Sequence, residues 1–253
     1  MKKVLELIFL VCFGSKQKRH QSIHTILSLF SIKLGYRLGN KNLTWHKDRE
    51  FLDIYQELTK VDTEKKRIPE RKFVLHSIAK SLKNIDGDIV ECGVFRGHSS
   101  YLMLYANRDN EKMFHGFDSF EGLSQPEEED RVKNSYSYKW KQHDLSTPEK
   151  AATSNLKMFK NRVNLYKGWI PERFEEVSNK KFSIVHIDVD LYQPTLDSIK
   201  FFWKKINKGG VLVCDDYGFE TCPGAKKAMD DFFKLQNISV IHLTTGQGIV
   251  FKQ

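Results

Sequence analysis

The chain has only four cysteines in 253 residues, and none are spaced as C-x-x-C. That leaves no disulfide framework and no thiolate metal knuckle to read. Cys92 and Cys214 fall inside apolar runs, where a thiol serves as a small filler in a reducing compartment. No internal repeat and no low-complexity segment breaks the chain. The longest apolar N-terminal run, within 1–14, is too short to span a bilayer. Glu6 interrupts that run and no small-residue cleavage pattern follows it, so a secretory leader is not expected either. The balance is basic, with a net charge of +9, which favours anionic partners. The basic residues are scattered and lack an aromatic-interleaved module, so nucleic acid is not among the expected partners. A hydrophobic fraction of 40% with 18 Phe excludes disorder and supplies one large α/β core.

What is present centres on residues 181–218, KFSIVHIDVDLYQPTLDSIKFFWKKINKGGVLVCDDYG. Phe182 to Ile187 is a β-branched, apolar run suited to a buried strand. Asp188 and Asp190 follow at once. Leu196, Ile199, Trp203 and Ile206 recur at helical spacing after Pro194, and Gly209-Gly210 is expected to stop that helix. Val211 to Val213 is a second buried strand running into Asp215-Asp216. In an open parallel sheet, ligands bind beyond the carboxyl ends of the strands. A βαβ unit therefore gathers Asp188, Asp190, Asp215 and Asp216 on one edge. Four converging carboxylates need a positive charge between them, and a hard divalent cation such as Mg²⁺ is the simplest one. Either pair alone reads as well as a turn or a solvated loop; the two together favour a metal site.

The rest of the chain alternates in the same way. Residues 20–60 carry helical stripes of Ile23, Ile26, Leu27, Phe30 and Leu34, then Phe51, Leu52, Tyr55 and Leu58, with a loop at 40–42. Pro69 opens a helix bearing Phe73, Val74, Ile78 and Leu82. Strands are expected at 89–92, 114–117 and 163–166. Ser146 to Glu149 has capping-box spacing, and Glu127 to Asp130 reads as a solvated acidic loop. Pro223-Gly224 starts a last helix, and a hairpin closes at 244–248. The fold class expected is α/β: a Rossmann-like, doubly wound seven-stranded sheet with an antiparallel last strand, preceded by N-terminal helices. The division expected is a helical region over 1–86, acting as a lid, dimer arm or acceptor-shaping segment, and a core over 87–253. The segment 1–14 reads as an amphipathic helix.

In the first half, VECGVFRG places Glu91, Gly93 and Gly97 between a strand and a helix. Glycines let backbone amides approach a ligand, and the helix start beyond is slightly positive. Asp118 ends the next strand, where a carboxylate can accept both hydroxyls of a ribose. Phe95 and Arg96 stand where the small residues of a G-x-G-x-x-G phosphate turn would be. The set suits adenosine carrying an amino acid better than a dinucleotide.

VECGVFRGHSS, GFDSFEGL, KGW, HIDVDLYQPTLDSI and GGVLVCDDYG, in this order, resemble the macrocin O-methyltransferase family. Those are class I, S-adenosylmethionine-dependent sugar methyltransferases that use Mg²⁺, and the resemblance covers residues 88 to the C-terminus. It implies cofactor contacts at Glu91, Gly93, Val94, Phe95 and Gly97, at Asp118, Ser119 and Phe120, and at Gly168 and Trp169. It implies metal ligands at Asp188, Asp215 and Asp216. The family often carries Trp where Phe95 stands.

The chemistry expected is methyl transfer to a hydroxyl of a sugar or glycosylated acceptor. A metal there orients neighbouring hydroxyls and lowers their pKa. Asp188 or Asp190 is the nearest base. Tyr192 and Gln193, on the same loop, are candidate acceptor contacts. His186 reads as a satisfied core histidine; His98 and His143 are weaker candidates. Three rivals remain. Asp188-Val-Asp190 also fits the D-x-D of a metal-dependent glycosyltransferase, which explains neither Asp118 nor the Glu91 turn. A D-x-D-x-T phosphatase has Tyr192 in place of its Thr. A non-catalytic cofactor-binding subunit is the third. Expected partners are a small-molecule or glycan acceptor, a peripheral membrane contact through residues 1–19, and a second copy of the chain. The expected location is the cytoplasm.

Overall fold

The computed structural model describes residues 2–33, 48–59, 69–133 and 139–253. Leu34 and the loop expected at 40–42 lie outside them. Two compact units result, residues 1–48 and 49–253.

The first unit is a pair of helices, α1 (Lys2–Phe13) and α2 (Lys16–Lys33). Ser22 and Ser31 are buried, while Leu5, Ile8, Phe9, Phe13, Ile23, Leu27, Leu29 and Phe30 are exposed. No helix among the described residues is long and apolar enough to cross a membrane.

The second unit opens with α3 (Arg49–Thr59) and α4 (Pro69–Ser81). Phe51 is fully buried, and its ring meets that of Phe73 on α4 edge-on at 5.2 Å. The face α4 buries is Leu75, His76 and Ala79. Five parallel strands follow: β1 (Asp88–Cys92), β2 (Phe114–Asp118), β3 (Val163–Lys167), β4 (Phe182–Ile187) and β5 (Ile206–Cys214). Their connecting helices are α5 (His98–Ala106), α6 (Glu149–Asn155) and α7 (Tyr192–Phe202). After α8 (Pro223–Lys234), β6 (Ile241–His242) and β7 (Gly248–Phe251) form the closing hairpin. The strand order is β3-β2-β1-β4-β5-β7-β6, with β7 antiparallel to both neighbours. This is the expected seven-stranded, doubly wound sheet. Burial on both faces explains the continuous apolar runs: every residue of β4 is buried.

One face of the core is aromatic. Phe174 packs on Phe117 at 5.0 Å and on Phe202 at 4.7 Å, and Phe202 packs on Phe182 at 5.4 Å, all edge-on. Each such pair adds about 0.5–1.5 kcal/mol beyond area burial.

Three local expectations are corrected. Ile206 belongs to β5 rather than to the preceding helix: it pairs with Phe182, and an irregularity in the β4–β5 register precedes the Ile184–Val211 pair. Gly209, at a φ of +82°, accommodates that irregularity, so the glycines sit inside the strand instead of stopping a helix. No side chain caps α6, whose cap position is Pro148. The reciprocal capping arrangement occurs at Glu127 and Asp130. Asp130, unlike the exposed Glu127 and Glu128, is buried and accepts the backbone N–H of Tyr192 at 2.8 Å, so the solvated reading fails at that residue alone.

Candidate active site

The strand ladder runs on past the carboxyl ends of β1, β4 and β5 and sets the loops that follow. Gly93 N–H donates to the Phe117 carbonyl at 2.8 Å, Asp188 N–H to Cys92 at 2.9 Å and Asp215 N–H to Ile187 at 2.8 Å. Beyond these bonds lies a cavity of about 680 Å³, within the usual range for a small-molecule site.

One half of the cavity is the turn after β1. Asp118 organises it: one carboxylate oxygen accepts the N–H groups of Val94 at 2.8 Å and Phe95 at 2.7 Å, and the other accepts Phe120 N–H at 2.6 Å. Burial pushes the Asp118 carboxyl up, and those three backbone bonds pull against it. Phe95 and Phe120 both have left-handed backbones, with φ of 51° and 57°. Non-glycine residues held there indicate a loop whose shape is dictated by its surroundings. Gly93 is required by contact as well as by its φ of +85°, because a β-carbon there would run into the backbone of Asp188.

The other half is the acidic edge. Asp188, Asp190, Asp215 and Asp216 all line the cavity. Asp190, at a φ of 59°, donates its N–H to Asp216 at 3.1 Å. Asp216 is 5% exposed; burial and the neighbouring Asp190 and Asp188 carboxylates raise its pKa well above the usual aspartate range, with Arg71 opposing. Burial also raises the thiols of Cys92, Cys214 and Cys222, with Cys92 pushed up to about 12.

Two cations that sequence reasoning missed come from α4. Arg71 pairs with Asp215 and lies 3.7 Å from Asp216, with its guanidinium 4.4 Å above the Phe219 ring. Lys72 lies 4.0 Å from Asp188 and bonds to Ser99. Gln247, from the closing hairpin, donates to Asp215 at 2.8 Å. Nothing in the local pattern P-E-R-K marks these residues; only the topology brings α4 over the strand ends. Tyr55 and Trp140 also line the cavity without a sequence signal.

Of the residues singled out from sequence, Gly93, Val94, Phe95, Asp118, Ser119, Trp169, Asp188, Asp190, Gln193, Asp215 and Asp216 are brought together here. Gly97, Phe120 and Gly168 support the loops without lining the cavity. Tyr192 is turned aside: its hydroxyl meets Asp231 at 3.3 Å, and Lys227 lies 4.8 Å from its ring centre. Glu91 is fully buried beneath the turn, bonded to Ser100 and to His186 Nδ1 at 2.8 Å. Among the described residues, donor atoms within 4.8 Å of one another form two groups, His186/Asp188/Asp215 and Asp190/Asp216/Cys222.

Known proteins resemble this chain in sequence and in fold. The model of the family described as Macrocin-O-methyltransferase (TylF) matches residues 24–251. The chain belongs to that family. It is 24% identical over 168 residues to the 8-demethyl-8-(2,3-dimethoxy-alpha-L-rhamnosyl)-tetracenomycin-C 4'-O-methyltransferase of Streptomyces olivaceus, spanning 63% of this chain and 63% of that one. The matched part is thus under two thirds of that relative's length. The fold is similar to that of CalS11, a calicheamicin methyltransferase, with a TM-score of 0.61, 18% identity, and coverage of 80% and 93% of the two chains. It is also similar to SAH-bound PaMTH1 of Podospora anserina, with a TM-score of 0.57, 12% identity, and coverage of 86% and 99%.

Proposed function

We propose that the protein is an O-methyltransferase that moves a methyl group from S-adenosylmethionine to a hydroxyl of a sugar or glycosylated acceptor, with Mg²⁺ at the acidic edge. The observation that carries this reading is the single cavity uniting the Asp118-held turn with Asp188, Asp190, Asp215 and Asp216. The family description and the names of the tetracenomycin and calicheamicin enzymes, which are methyltransferases of glycosylated natural products, support the acceptor class.

The donor chemistry fits a divalent cation. Four carboxylates face two cations, Arg71 and Lys72, so the acids outnumber the bases at this edge. All four are hard oxygen donors of the kind Mg²⁺ accepts. Asp188, Asp215 and Asp216 would hold the ion, which when bound supplies Lewis-acid polarisation and two-point orientation of neighbouring hydroxyls. The Gly93–Phe95 turn, its amides held by Phe117 and Asp118, forms with Ser119 and Trp169 the wall against which the sulfonium donor binds. Asp190 stands at the acceptor side, where a carboxylate oxygen takes the hydroxyl proton as the oxygen approaches the methyl group. Gln193 and Tyr55 border the same space and orient the acceptor.

Residues 87–253 then form the methyltransferase core, and the part of 1–86 that shapes the acceptor side is α3 and α4, through Tyr55, Arg71 and Lys72. The four free cysteines, three of them buried, agree with a cytoplasmic location. The exposed apolar residues of the α1–α2 hairpin favour a peripheral membrane contact.

The experiment is methyl transfer to glycosylated acceptors measured with and without EDTA, for the wild type and Asp215→Ala. Both treatments should abolish transfer, while calorimetric binding of S-adenosylhomocysteine survives. Full activity under EDTA and in the variant would remove the metal from the mechanism. Thermal protection by a UDP-sugar in place of S-adenosylmethionine would return the reading to a glycosyltransferase.

A further inference from the structure

His186 was expected to be a satisfied core histidine, and half of it is. The side chain is 0% exposed, and Nδ1 lies 2.8 Å from Glu91 Oε1, which is itself buried and held by Ser100. The other ring nitrogen is not satisfied: Nε2 is buried with no hydrogen-bond partner. It points at the acidic edge, 3.5 Å from Asp215 Oδ1, and groups with Asp188 and Asp215.

Two physical points decide what this nitrogen is for. A buried ring nitrogen without a partner is costly, so its lone pair or its proton calls for a partner. The 3.5 Å to Asp215 exceeds the usual N–H···O range of about 2.7–3.2 Å. It is close enough for both atoms to be ligands of one ion, and a donor oxygen of Asp188 lies within 4.8 Å of them. The Glu91 contact supplies the remaining part. A carboxylate that accepts a hydrogen bond from Nδ1–H fixes the tautomer with the Nε2 lone pair free, as the outer partners of ligating histidines do.

We propose that His186 Nε2 is a nitrogen ligand at the acidic edge, with Asp188 and Asp215, and that Glu91 acts through it as the positioning carboxylate. The proposal rests on the reading that this edge takes a divalent cation, and it narrows the cation. An imidazole in the donor set favours Mn²⁺, Co²⁺, Ni²⁺ or Zn²⁺ over Mg²⁺, whose preference is for oxygen. Glu91, read from sequence as a cofactor contact, then serves the metal side of the site from beneath the turn.

The test is pulsed electron paramagnetic resonance of the Mn²⁺-loaded, full-length protein, in natural abundance and with ¹⁵N-histidine, alongside Mn²⁺ and Mg²⁺ titrations. A histidine-nitrogen modulation is expected in the wild type and in His98→Gln, and its loss in His186→Gln. Mn²⁺ should bind at least tenfold more tightly than Mg²⁺, with the gap shrinking in His186→Gln and in Glu91→Gln. Should His186→Gln fail to fold, the wild-type and His98→Gln spectra decide by themselves. Bound Mn²⁺ without a histidine nitrogen, or with one that persists in folded His186→Gln, overturns the proposal and leaves the divalent-cation reading standing. Failure of both ions to bind overturns the two together.

Discussion

The backbone of Asp188 fills the space that a side chain on Gly93 would need. The turn on the cofactor side and the loop on the acidic side are therefore in van der Waals contact, and neither can shift without the other. Gly93→Ala should lose about 2–4 kcal/mol of stability, from a strained positive φ and from displacement of the Asp188 backbone. Chemical denaturation checks the loss. Calorimetry should show weaker binding of S-adenosylhomocysteine and of a divalent cation alike. Loss of only one would mean the two loops move independently.

Arg71 offsets part of the negative charge of the acidic edge, through its pairs with Asp215 and Asp216. Arg71→Met leaves buried carboxylates without their nearest cation and should cost about 3 kcal/mol in metal-free buffer. Addition of a divalent cation should raise the melting temperature of the variant more than that of the wild type. Equal shifts in the two proteins would show that Arg71 and the ion do not answer to the same carboxylates.

Glu50 ties α3 to its neighbours, bonding Lys80 of α4 at 3.0 Å and Arg108, just past α5, at 2.9 Å. The Lys80 bond, then the charges of Lys80 and Arg108, hold its carboxyl below the usual glutamate range. A depressed folded-state pKa gives stability that is present above the unfolded value and is lost as the pH falls through the folded one. The wild type should therefore exceed Glu50→Gln in melting temperature above about pH 5, and the two should converge by about pH 3. The pair is partly exposed, so the gap should narrow in molar salt. A gap that widens on acidification would contradict the assignment.

The α1–α2 pair leaves Phe9, Phe13 and Phe30 exposed. On an anionic membrane that arrangement is favourable, because the chain is basic and the apolar side chains leave water. The full chain should sediment with vesicles containing phosphatidylglycerol and remain in solution with pure phosphatidylcholine. The double variant Phe9→Ser, Phe13→Ser should lose most of that association. Failure to sediment, with a dimer mass that falls to a monomer in the double variant, would assign the face to a second copy of the chain.

Much of the fold is legible in the sequence because its strands are buried on both faces. A run such as Phe182 to Ile187 has no other use in a chain of this composition, and the carboxylates mark where such runs end. The acidic edge and the Asp118 turn follow from strand order alone. What escaped lies where partners are distant in sequence. Arg71 and Lys72 look like an ordinary helix start, and only tertiary packing lays them over Asp215 and Asp188. Asp130 reads as one acid among four in a polar stretch, yet its contact with Tyr192 N–H crosses 62 positions. Ile206 keeps the helical period by coincidence, and strand pairing overrides it.

The place of β7 has a consequence for how the protein comes into being. It is the last of the strands in chain order, yet it is inserted between β5 and β6, and the turn before it delivers Gln247 to Asp215. During synthesis the acidic edge thus waits for a partner that emerges after every other strand. Until residue 251 has cleared the ribosome, the nascent sheet ends at β5 with its outer row of amides and carbonyls open. That interval is when the growing chain is most exposed to illegitimate pairing, and when a chaperone would have the most to shield.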